Sequence, residues 1–394
     1  MHTVSEAVAE LRSASRLLVA AQSTPLAECT GRVLAQDITA PIDVPPADNS
    51  AMDGYAFRYA DWAGPGRPLT LSQRIVAGIA PPALAPGTAA RIFTGAEIPP
   101  GADTVVMQEY CTADSSSVLI QESPAIGANI RRRAQDIERG QCVLEAGQRI
   151  RPQDAGLIAS LGIAQIQCYR RLKVAVMSNG SELVEPGDAV QPGQIYNSNR
   201  YLLSALMKAW GFEVLDLGIV SDDPQEIRER LIEAGRNADV IISSGGVSVG
   251  EEDHIRDVVD SLGGIDLWKV SIKPGKPFAF GNVHGTPFLG LPGNPSSVLV
   301  TCLVIARPFL FACQGIASSE VYPLRKAALF DHKGSPRTEY LRVRSTGAGL
   351  ECYPRQSSDI LLSTVWGDGL AVQHAGQDIR QGDELDFLPY SLLL

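Results

Sequence analysis

The second half of this chain alternates apolar runs with amphipathic segments, and this alternation is the feature that most constrains the fold. From Arg171 onward, the strand-like runs KVAVMSN, EVLDLGIV and DVIISS alternate with helix-like segments at 199–211, 224–237 and 254–262. Strands and helices that alternate in this way form a parallel sheet with helices on both faces. Ligands bind such sheets beyond the carboxyl ends of the strands. We therefore expect a doubly wound α/β domain whose site lies among the loops at that edge.

The segment Ala238–Asp257 combines a strand, a glycine loop and the start of a helix. Its apolar run ends at Ser243, and SGGVSVGEED follows before the next helix. Glycines let the backbone approach a ligand closely, and free N–H groups at a helix N-terminus favour an anion. The loop predicts a phosphate or oxyanion site, and a tight turn followed by a solvated acidic helix start is the alternative. The predicted contacts are small residues of this loop: Ser244, Gly245, Gly246, Ser248 and Gly250.

Other polar residues follow the strand ends of the same region. Glu251, Glu252 and Asp253 come directly after the glycine loop, and carboxylates beside a bound phosphate commonly hold Mg²⁺. The loops SNGSE, SDDP and LPGNPSS end three further apolar runs. In the last of them Asn294 suits a helix N-cap and Pro295 the first helical position, so a capped turn also accounts for it. Four polar loops at one edge of a sheet nevertheless favour a ligand site.

Cationic residues are concentrated in two short segments. Lys269, Lys273 and Lys276 lie in KVSIKPGKPFAFG, which predicts an anion site, with a solvated strand edge as the alternative. We expect Lys273→Ala to weaken anion binding with little effect on stability. The run Arg131–Arg133 offers bidentate donors for a phosphate or oxyanion, although a charged surface turn is the ordinary explanation. The loops DNSAMDGYA and FTGA are polar or small, and Asx turns would explain both without a function.

Composition excludes several classes of protein. The chain has 394 residues, more than one hydrophobic core normally supports, and its formal net charge of −10 makes general nucleic-acid binding unfavourable. Its 7 cysteines are scattered and form no disulfide or zinc pattern. The N-terminal segment predicts an amphipathic helix instead of a signal peptide. The apolar run Val298–Ala306 is interrupted by Arg307-Pro308 and is shorter than the roughly 20 residues that cross a bilayer. We expect a cytoplasmic protein that contacts no membrane.

Changes in pattern along the chain predict four domains. Residues 1–40 with 141–170 form a helix and strand domain that links the others, and residues 41–140 form an inserted β domain. Residues 171–317 form the α/β domain. Residues 318–394, where helical periodicity is lost, form a small C-terminal β domain. The expected fold class is α/β plus all-β, in a multidomain chain.

Eight segments occur in the order found in one known family. They are DNSAMDGYA, RIFTGAEIPPGADTVVMQE, NIRRRAQDI, SNGSELVEPGD, GQIYNSNR, SSGGVSVGEEDH, KPGKPFAFG and LPGNPSS. From about residue 20 to the C-terminus the chain resembles the molybdopterin molybdenumtransferase (MoeA and gephyrin E-domain) family. The resemblance implies that the α/β domain binds molybdopterin, and that molybdate is ligated to adenylated molybdopterin with release of AMP and a requirement for Mg²⁺. It also implies a homodimer whose cleft lies between the α/β domain of one subunit and the β domain of the other, with the molybdopterin adenylyltransferase as a candidate partner.

The resemblance also assigns roles to individual residues. The residues that it implies are catalytic are carboxylates and one threonine: Asp53, Thr94, Asp136, Glu182 and Asp253. Asp253 and Glu182 are the implied metal ligands. Substrate binding falls to the glycine loop and to flanking polar, cationic and proline residues: Arg131, Asp222, Lys269, Lys273, Lys276, Pro292, Asn294 and Pro295.

The chain departs from the family pattern in three places. NGSE stands where TGDE is common, so Asn179 and Ser181 replace a hydroxyl and a carboxylate; RRRAQD places Gln135 where the family carries a carboxylate. QSSD stands where QGSG is frequent. These departures leave open a catalytically weakened paralogue that binds molybdopterin or acts as a scaffold. A related adenylyltransferase would consist of the α/β domain alone, and the flanking β domains argue against it.

Overall fold

Four groups of strands and helices make up the molecule. The computed structural model describes residues 2–246 and 254–394, with 266–268 described by their backbone only. The predicted residues Ser248, Gly250 and Asp253 therefore lie outside the described residues. The combination of an α/β unit with all-β units confirms the expected fold class.

The α/β unit is built on a six-stranded sheet. In spatial order its strands are Glu213–Val220, Lys173–Asn179, Val240–Ser244, Thr286–Leu291, Pro277–Val283 and Ile265–Lys269. The first four are parallel, as predicted, and the last two are antiparallel additions at one edge. The antiparallel edge follows from the link between Val283 and Thr286, because His284 and Gly285 both have positive φ (50° and 90°) and form the tight turn of a hairpin.

Helices cover both faces of this sheet, which makes it doubly wound. The helices of the alternating region are Ser198–Ala209, Pro224–Asn237 and His254–Leu262. Pro224–Asn237 starts where the sequence predicts, because the Asp223 side chain accepts a hydrogen bond from the backbone N–H of Gln225 at 3.2 Å. Leu203 packs in the core on one face, whereas Leu231 packs with Ile255 in the core on the other.

A long apolar helix runs through the core of the α/β unit. It consists of an α-helix at Pro295–Thr301, a π-helical turn at Cys302–Ala306 and an α-helix at Arg307–Cys313. The expectation that this stretch is too short to cross a bilayer is wrong, because the helix continues through Arg307-Pro308 to Cys313. The widened turn precedes Pro308, where it accommodates a residue that lacks an N–H donor. The stretch Pro295–Cys313 is long and apolar enough to cross a membrane by length and composition, but 83% of it is buried inside the protein, as in a core helix.

The N-terminal helix Val4–Ala14 packs in the core of the α/β unit. Short pairs of strands follow it in the chain. Thr3 and Glu6 cap the helix reciprocally, and its buried Ala7 and Leu11 pack into the α/β core. Strand Ala21–Pro25 pairs with Gln165–Tyr169, and Ile38–Thr39 pairs with Cys142–Leu144, so segments on either side of the inserted residues meet. Helix Pro152–Ser160 packs with these strands through Ile158.

The inserted residues form a second six-stranded sheet. In spatial order its strands are Thr104–Met107, Gly54–Phe57, Thr88–Ile92, Pro68–Ile75, Ser117–Ile120 and Cys111–Ala113. A separate short pair, Asn49–Ser50 with Ile130–Arg131, joins the two ends of this unit. The strands Thr88–Ile92 and Thr104–Met107 thus form where the alternating pattern predicts, although the first ends at Ile92, one residue before Phe93.

The C-terminal sheet includes a strand that the α/β unit donates. Its strands are Ile272–Lys273, Thr338–Ser345, Gly369–Gln373, Glu384–Pro389 and Leu324–Ala327, and Leu350–Cys352 pairs with Thr338–Ser345 at its side. Two short helices, Leu362–Trp366 and Tyr390–Leu393, complete the unit. Ile272–Lys273 lies parallel to Thr338–Ser345, with Lys273 opposite Glu339. The chain therefore leaves the α/β sheet, adds a strand to the C-terminal sheet and returns at Pro277.

Candidate functional site

A cavity of about 700 Å³ opens where the α/β unit meets the C-terminal sheet. Predicted site residues from three loops line it: Glu182, Lys273, Lys276, Pro292 and Asn294. The C-terminal unit contributes Arg337, Ser357 and Ser358, none of which the sequence pointed to as ligand-binding residues. The structure thus gathers loops that are far apart in the chain around one concave surface, at the carboxyl edge of the sheet.

The C-terminal sheet fixes the position of the lysine loop. Lys273 Nζ lies 3.0 Å from Oε2 of Glu339, whose side chain is fully buried. Arg337 donates from Nη1 to the carbonyl oxygens of Ile272 (2.9 Å) and Gly275 (2.8 Å). Lys276 is exposed at the same cavity. Three cationic side chains therefore converge here, and two of them are oriented by contacts between the α/β and C-terminal units.

The start of the glycine loop approaches the neighbouring strand end closely. Gly245 and Gly246 have φ of +86° and +65°, and a Cβ atom at either position would lie 2.6 Å from an oxygen of Asn179. Asn179 donates from Nδ2 to the carbonyl oxygens of Val220 and Ser221, both at 3.1 Å. Both glycines are thus required for packing between strand ends. Ser244 is buried, and its Oγ lies 3.1 Å from that of Ser178.

The loop that carries Glu182 is held by a serine to aspartate contact. Ser181 donates to Oδ2 of Asp222 from its backbone N at 2.8 Å and from Oγ at 2.6 Å. Glu182 itself is exposed. Within residues 2–246 and 254–394, no group of three or more His, Cys, Asp or Glu side chains is placed to hold a metal ion. The predicted pair of metal ligands includes Asp253, which lies outside those ranges.

The predicted residues of the inserted unit form a separate cluster. Oδ1 of Asp53 accepts hydrogen bonds from the backbone N and from Oγ of Thr94, both at 2.7 Å. The N–H of Thr94 and then its hydroxyl hold the pKa of Asp53 below its usual value. Arg131 is exposed on the strand opposite Asn49, and Asp136 is also exposed. None of these predicted residues lines the 700 Å³ cavity.

The remaining predicted residues lie at the turns around the cavity. Lys269 ends its strand and is exposed, but it does not line the cavity. Asn294 occupies the N-cap position and Pro295 the first helical position, as predicted. The Asn294 side chain forms no cap, however, and its Nδ2 donates to Oγ of Ser358 at 3.0 Å across the boundary with the C-terminal unit. Glu339 is the single acid in the strand Thr338–Ser345, and this was the signal that could have pointed to the partner of Lys273.

Nearly the whole chain matches known proteins. Three family models match in succession: the MoeA N-terminal region (domain I and II) at residues 2–162, the probable molybdopterin binding domain at 175–312 and the MoeA C-terminal region (domain IV) at 328–390. Molybdopterin molybdenumtransferase of Haemophilus influenzae is 44% identical over 300 residues, covering 74% of this chain and 72% of the relative. Molybdopterin molybdenumtransferase 2 of Mycobacterium tuberculosis is 39% identical over 396 residues, covering 91% and 97%. The crystal structure of a molybdopterin biosynthesis MoeA protein from Pyrococcus horikoshii OT3 has a TM-score of 0.86 at 27% identity, covering 99% of this chain and 100% of that one.

The fold and the matched regions define a multidomain protein of the MoeA type, with an α/β unit flanked by β units. The chain belongs to the molybdopterin molybdenumtransferase family. It is therefore a transferase of molybdenum cofactor biosynthesis, and the resemblance stated from the sequence is confirmed.

Proposed function

We propose that this protein ligates molybdate to adenylated molybdopterin and releases AMP. The observation that carries the proposal is the cavity in which Lys273, Lys276 and Arg337 converge. The chain has a formal net charge of −10, so an anionic substrate needs such a local concentration of cations. The cavity also adjoins the edge of the sheet where parallel α/β folds bind their ligands.

The cations suit the chemistry of the proposed reaction. Cleavage of the phosphoanhydride bond develops negative charge on the phosphate of the departing AMP. Cationic groups that are already oriented stabilise that charge without reorganisation in the transition state, and Arg337 and Lys273 are held in this way. The protein need not supply a covalent nucleophile, since a positioned water or an oxygen of molybdate would attack the phosphoanhydride, so that AMP leaves and the terminal phosphate stays on molybdopterin. The two dithiolene sulfurs of molybdopterin would replace one oxo group of molybdate, which would leave as water with the two thiol protons.

Magnesium fits the carboxylates of this edge. Glu182 and Asp222 supply hard oxygen donors, of which Asp222 Oδ2 is already occupied by Ser181. Mg²⁺ needs only one or two protein carboxylates beside a phosphate, so Asp253 with Glu182 would be sufficient. When bound, the ion would neutralise phosphate charge. Asp253→Asn keeps the shape of the side chain and removes its charge, so we expect abolished turnover or a Mg²⁺ requirement raised at least about tenfold, with substrate binding retained.

A homodimer would bring the second cluster to the cavity. Asp53, Thr94 and Arg131 belong to the inserted unit and do not line the cavity of their own subunit. A second copy could present them to the glycine loop, which supports the arrangement that the resemblance implies. Asp53 and Thr94 would then contact substrate, with Asp136 at the rim. A monomer by light scattering at micromolar concentration, with full activity, would disprove this arrangement.

The decisive experiment measures AMP. Purified protein is mixed with adenylated molybdopterin, Mg²⁺ and increasing molybdate, and AMP is quantified by chromatography. AMP release should depend on molybdate and fall at least about tenfold in Lys276→Ala, because one charge-assisted contact contributes roughly 1.5–3 kcal/mol. Lys208→Ala, which removes the same charge at an exposed position of helix Ser198–Ala209, is the matched control.

A second function is favoured by specific substitutions. Asn179, Ser181 and Gln135 stand where the family commonly carries other polar groups. If adenylated molybdopterin binds but no AMP is released at any molybdate concentration, the protein is a molybdopterin-binding or scaffold paralogue. We place the protein in the cytoplasm with the molybdopterin adenylyltransferase as its candidate partner, and fractionation with co-purification would test both assignments.

A further inference from the structure

A row of aromatic and cationic side chains crosses the sheet of the inserted unit. Arg91 lies directly opposite Arg74 on one neighbouring strand and directly opposite Tyr55 on the other. Residues that are paired in this way share a face of the sheet, and Phe93 follows Arg91 by two positions. The guanidinium carbons of Arg74 and Arg91 lie 4.7 and 4.8 Å from the centre of the Phe93 ring, and that of Arg91 lies 5.0 Å from the centre of Tyr55.

Two like charges directly opposite each other on adjacent strands destabilise a sheet. Neither Arg74 nor Arg91 forms an ion pair with any residue in 2–246 or 254–394. Arg91 donates instead to neutral acceptors, the side-chain oxygen of Gln108 and the carbonyl oxygen of Gly54. Two other arginines of the same unit differ, since Arg132 and Arg133 each pair with an aspartate. The unneutralised pair is therefore a local cost in a chain of net charge −10.

Stacking holds these guanidinium groups in a defined orientation. An arginine that lies over an aromatic ring keeps its N–H edge free, and this edge matches the geometry of a phosphate oxygen pair. Arg74 is exposed and Arg91 half-buried, so both can be reached from solvent. Phe93 leads directly into Thr94, whose contact with Asp53 lies at the end of the same strand. The nearby carboxylate is already engaged by Thr94, and Arg91 helps lower its pKa.

We propose that Arg74 and Arg91, stacked on Phe93, form an anion site for a phosphate-type group on the inserted unit. A dianion between the two guanidinium groups would remove the repulsion between them and give Arg91 a charged acceptor in addition to its present neutral ones. The choice of ligand rests on the proposed function, since adenylated molybdopterin carries phosphate groups and the inserted unit would face the cavity of a second subunit. The site itself rests on the strand register, on the stacking over Phe93 and on the absence of an ion pair for either arginine among the described residues.

The test uses the full chain and three probes: inorganic pyrophosphate, AMP and inorganic phosphate. Binding is measured by calorimetry at low ionic strength for the wild type, Arg74→Gln, Arg91→Gln and Arg91→Lys. We expect each Gln variant to weaken pyrophosphate binding at least tenfold, and Arg91→Lys to restore it only in part because lysine lacks the planar fork. Arg58→Gln removes one exposed charge from the same unit and should bind like the wild type. If AMP binds more tightly than inorganic phosphate, the site is assigned to the nucleotide. If the two bind equally, the site is assigned to free phosphate.

A thermal measurement separates a ligand site from a structural role. In phosphate-free buffer, Arg74→Gln should melt at a higher temperature than the wild type, because it removes the like-charge pair, while it binds pyrophosphate more weakly. A lower melting temperature, or unchanged pyrophosphate affinity in both Gln variants, would overturn the inference. AMP release that persists in these variants would overturn it while leaving the proposed function intact. Anion binding through these arginines in a protein that releases no AMP would support the site and disprove the proposed function.

Discussion

Replacing Lys273 with alanine should destabilise the protein, contrary to what the sequence alone suggests. A lysine in a strand and turn reads as solvated, so its loss should affect ligand binding only. In the structure its Nζ lies 3.0 Å from the fully buried carboxylate of Glu339, and the other oxygen of that carboxylate, Oε1, has no hydrogen-bond partner among the described residues. Lys273→Ala therefore leaves a buried charge without its counter-charge.

The expected loss can be estimated from the burial of the two partners. Removing one member of a buried ion pair costs roughly 3–5 kcal/mol. The Lys273 side chain is 38% exposed, so water can enter the vacated space and reduce the penalty. We therefore expect Lys273→Ala to lower the free energy of unfolding by about 2–3 kcal/mol, less than for a fully buried pair. At about 2–4 °C per kcal/mol, the melting temperature of the affected transition should fall by roughly 4–12 °C.

A double-mutant cycle measures the pair directly. Thermal unfolding is followed by calorimetry for Lys273→Ala, Glu339→Gln and the double variant, with Lys276→Ala as the control for loss of an exposed cavity lysine. The double variant should recover most of the stability that Lys273→Ala loses, because a neutral amide needs no counter-charge, whereas Lys276→Ala should stay within about 0.5 kcal/mol of the wild type. Equal melting temperatures for the two single lysine variants, with no coupling in the cycle, would refute the reasoning.

Two further substitutions test local geometry. Thr94→Val removes the hydroxyl donor to Asp53 but keeps the N–H donor, so the pKa of Asp53 should rise toward its ordinary value while remaining below it. An NMR titration of the Asp53 carboxyl resonance measures this pKa. An unchanged titration midpoint would contradict the role assigned to the hydroxyl. Any stability that the lowered pKa contributes is present above the unfolded-state pKa of Asp53 and is lost as the pH falls through its folded-state value. Gly245→Ala places a Cβ 2.6 Å from the carbonyl oxygen of Asn179 at positive φ, so denaturant unfolding should show a loss of about 2–4 kcal/mol. Gly187→Ala is the control, because Gly187 also has a positive φ but a Cβ there would meet no atom within 4 Å. If both variants lose the same free energy of unfolding, backbone strain and not the close approach to Asn179 explains the destabilisation.

Local signals account for the elements that the sequence predicts well. Helix Pro224–Asn237 has both ends where they are expected, because Asp223 supplies the cap and Pro224 the fixed φ of the first turn. The start of the glycine loop, Gly245 and Gly246, and the lysine loop are likewise found at the carboxyl edge of the sheet, since parallel strands bring their ends together. Periodicity and capping are properties of adjacent residues, so the sequence displays them directly.

The features that were missed depend on contacts between distant residues. Arg337 and Glu339 lie more than sixty positions after the loop that they hold, and no local pattern links them to it. The helix through Pro308 was missed for a related reason, because the π-helical turn that admits the proline is stabilised by burial in the α/β core. Roles for Ser248, Gly250 and Asp253 remain predictions from the glycine loop and the family pattern.

The strand Ile272–Lys273 also has a consequence for synthesis of the chain. A ribosome makes this strand well before Thr338–Ser345, the strand on which it pairs. Domains generally fold as units in the order in which they emerge. A nascent chain that has not yet reached Arg337 would hold a nearly complete α/β unit with its lysine loop unsupported. The cavity lined by Lys273, Lys276 and Arg337 is therefore completed only after the C-terminal sheet has emerged, so an incomplete chain would lack the proposed substrate site.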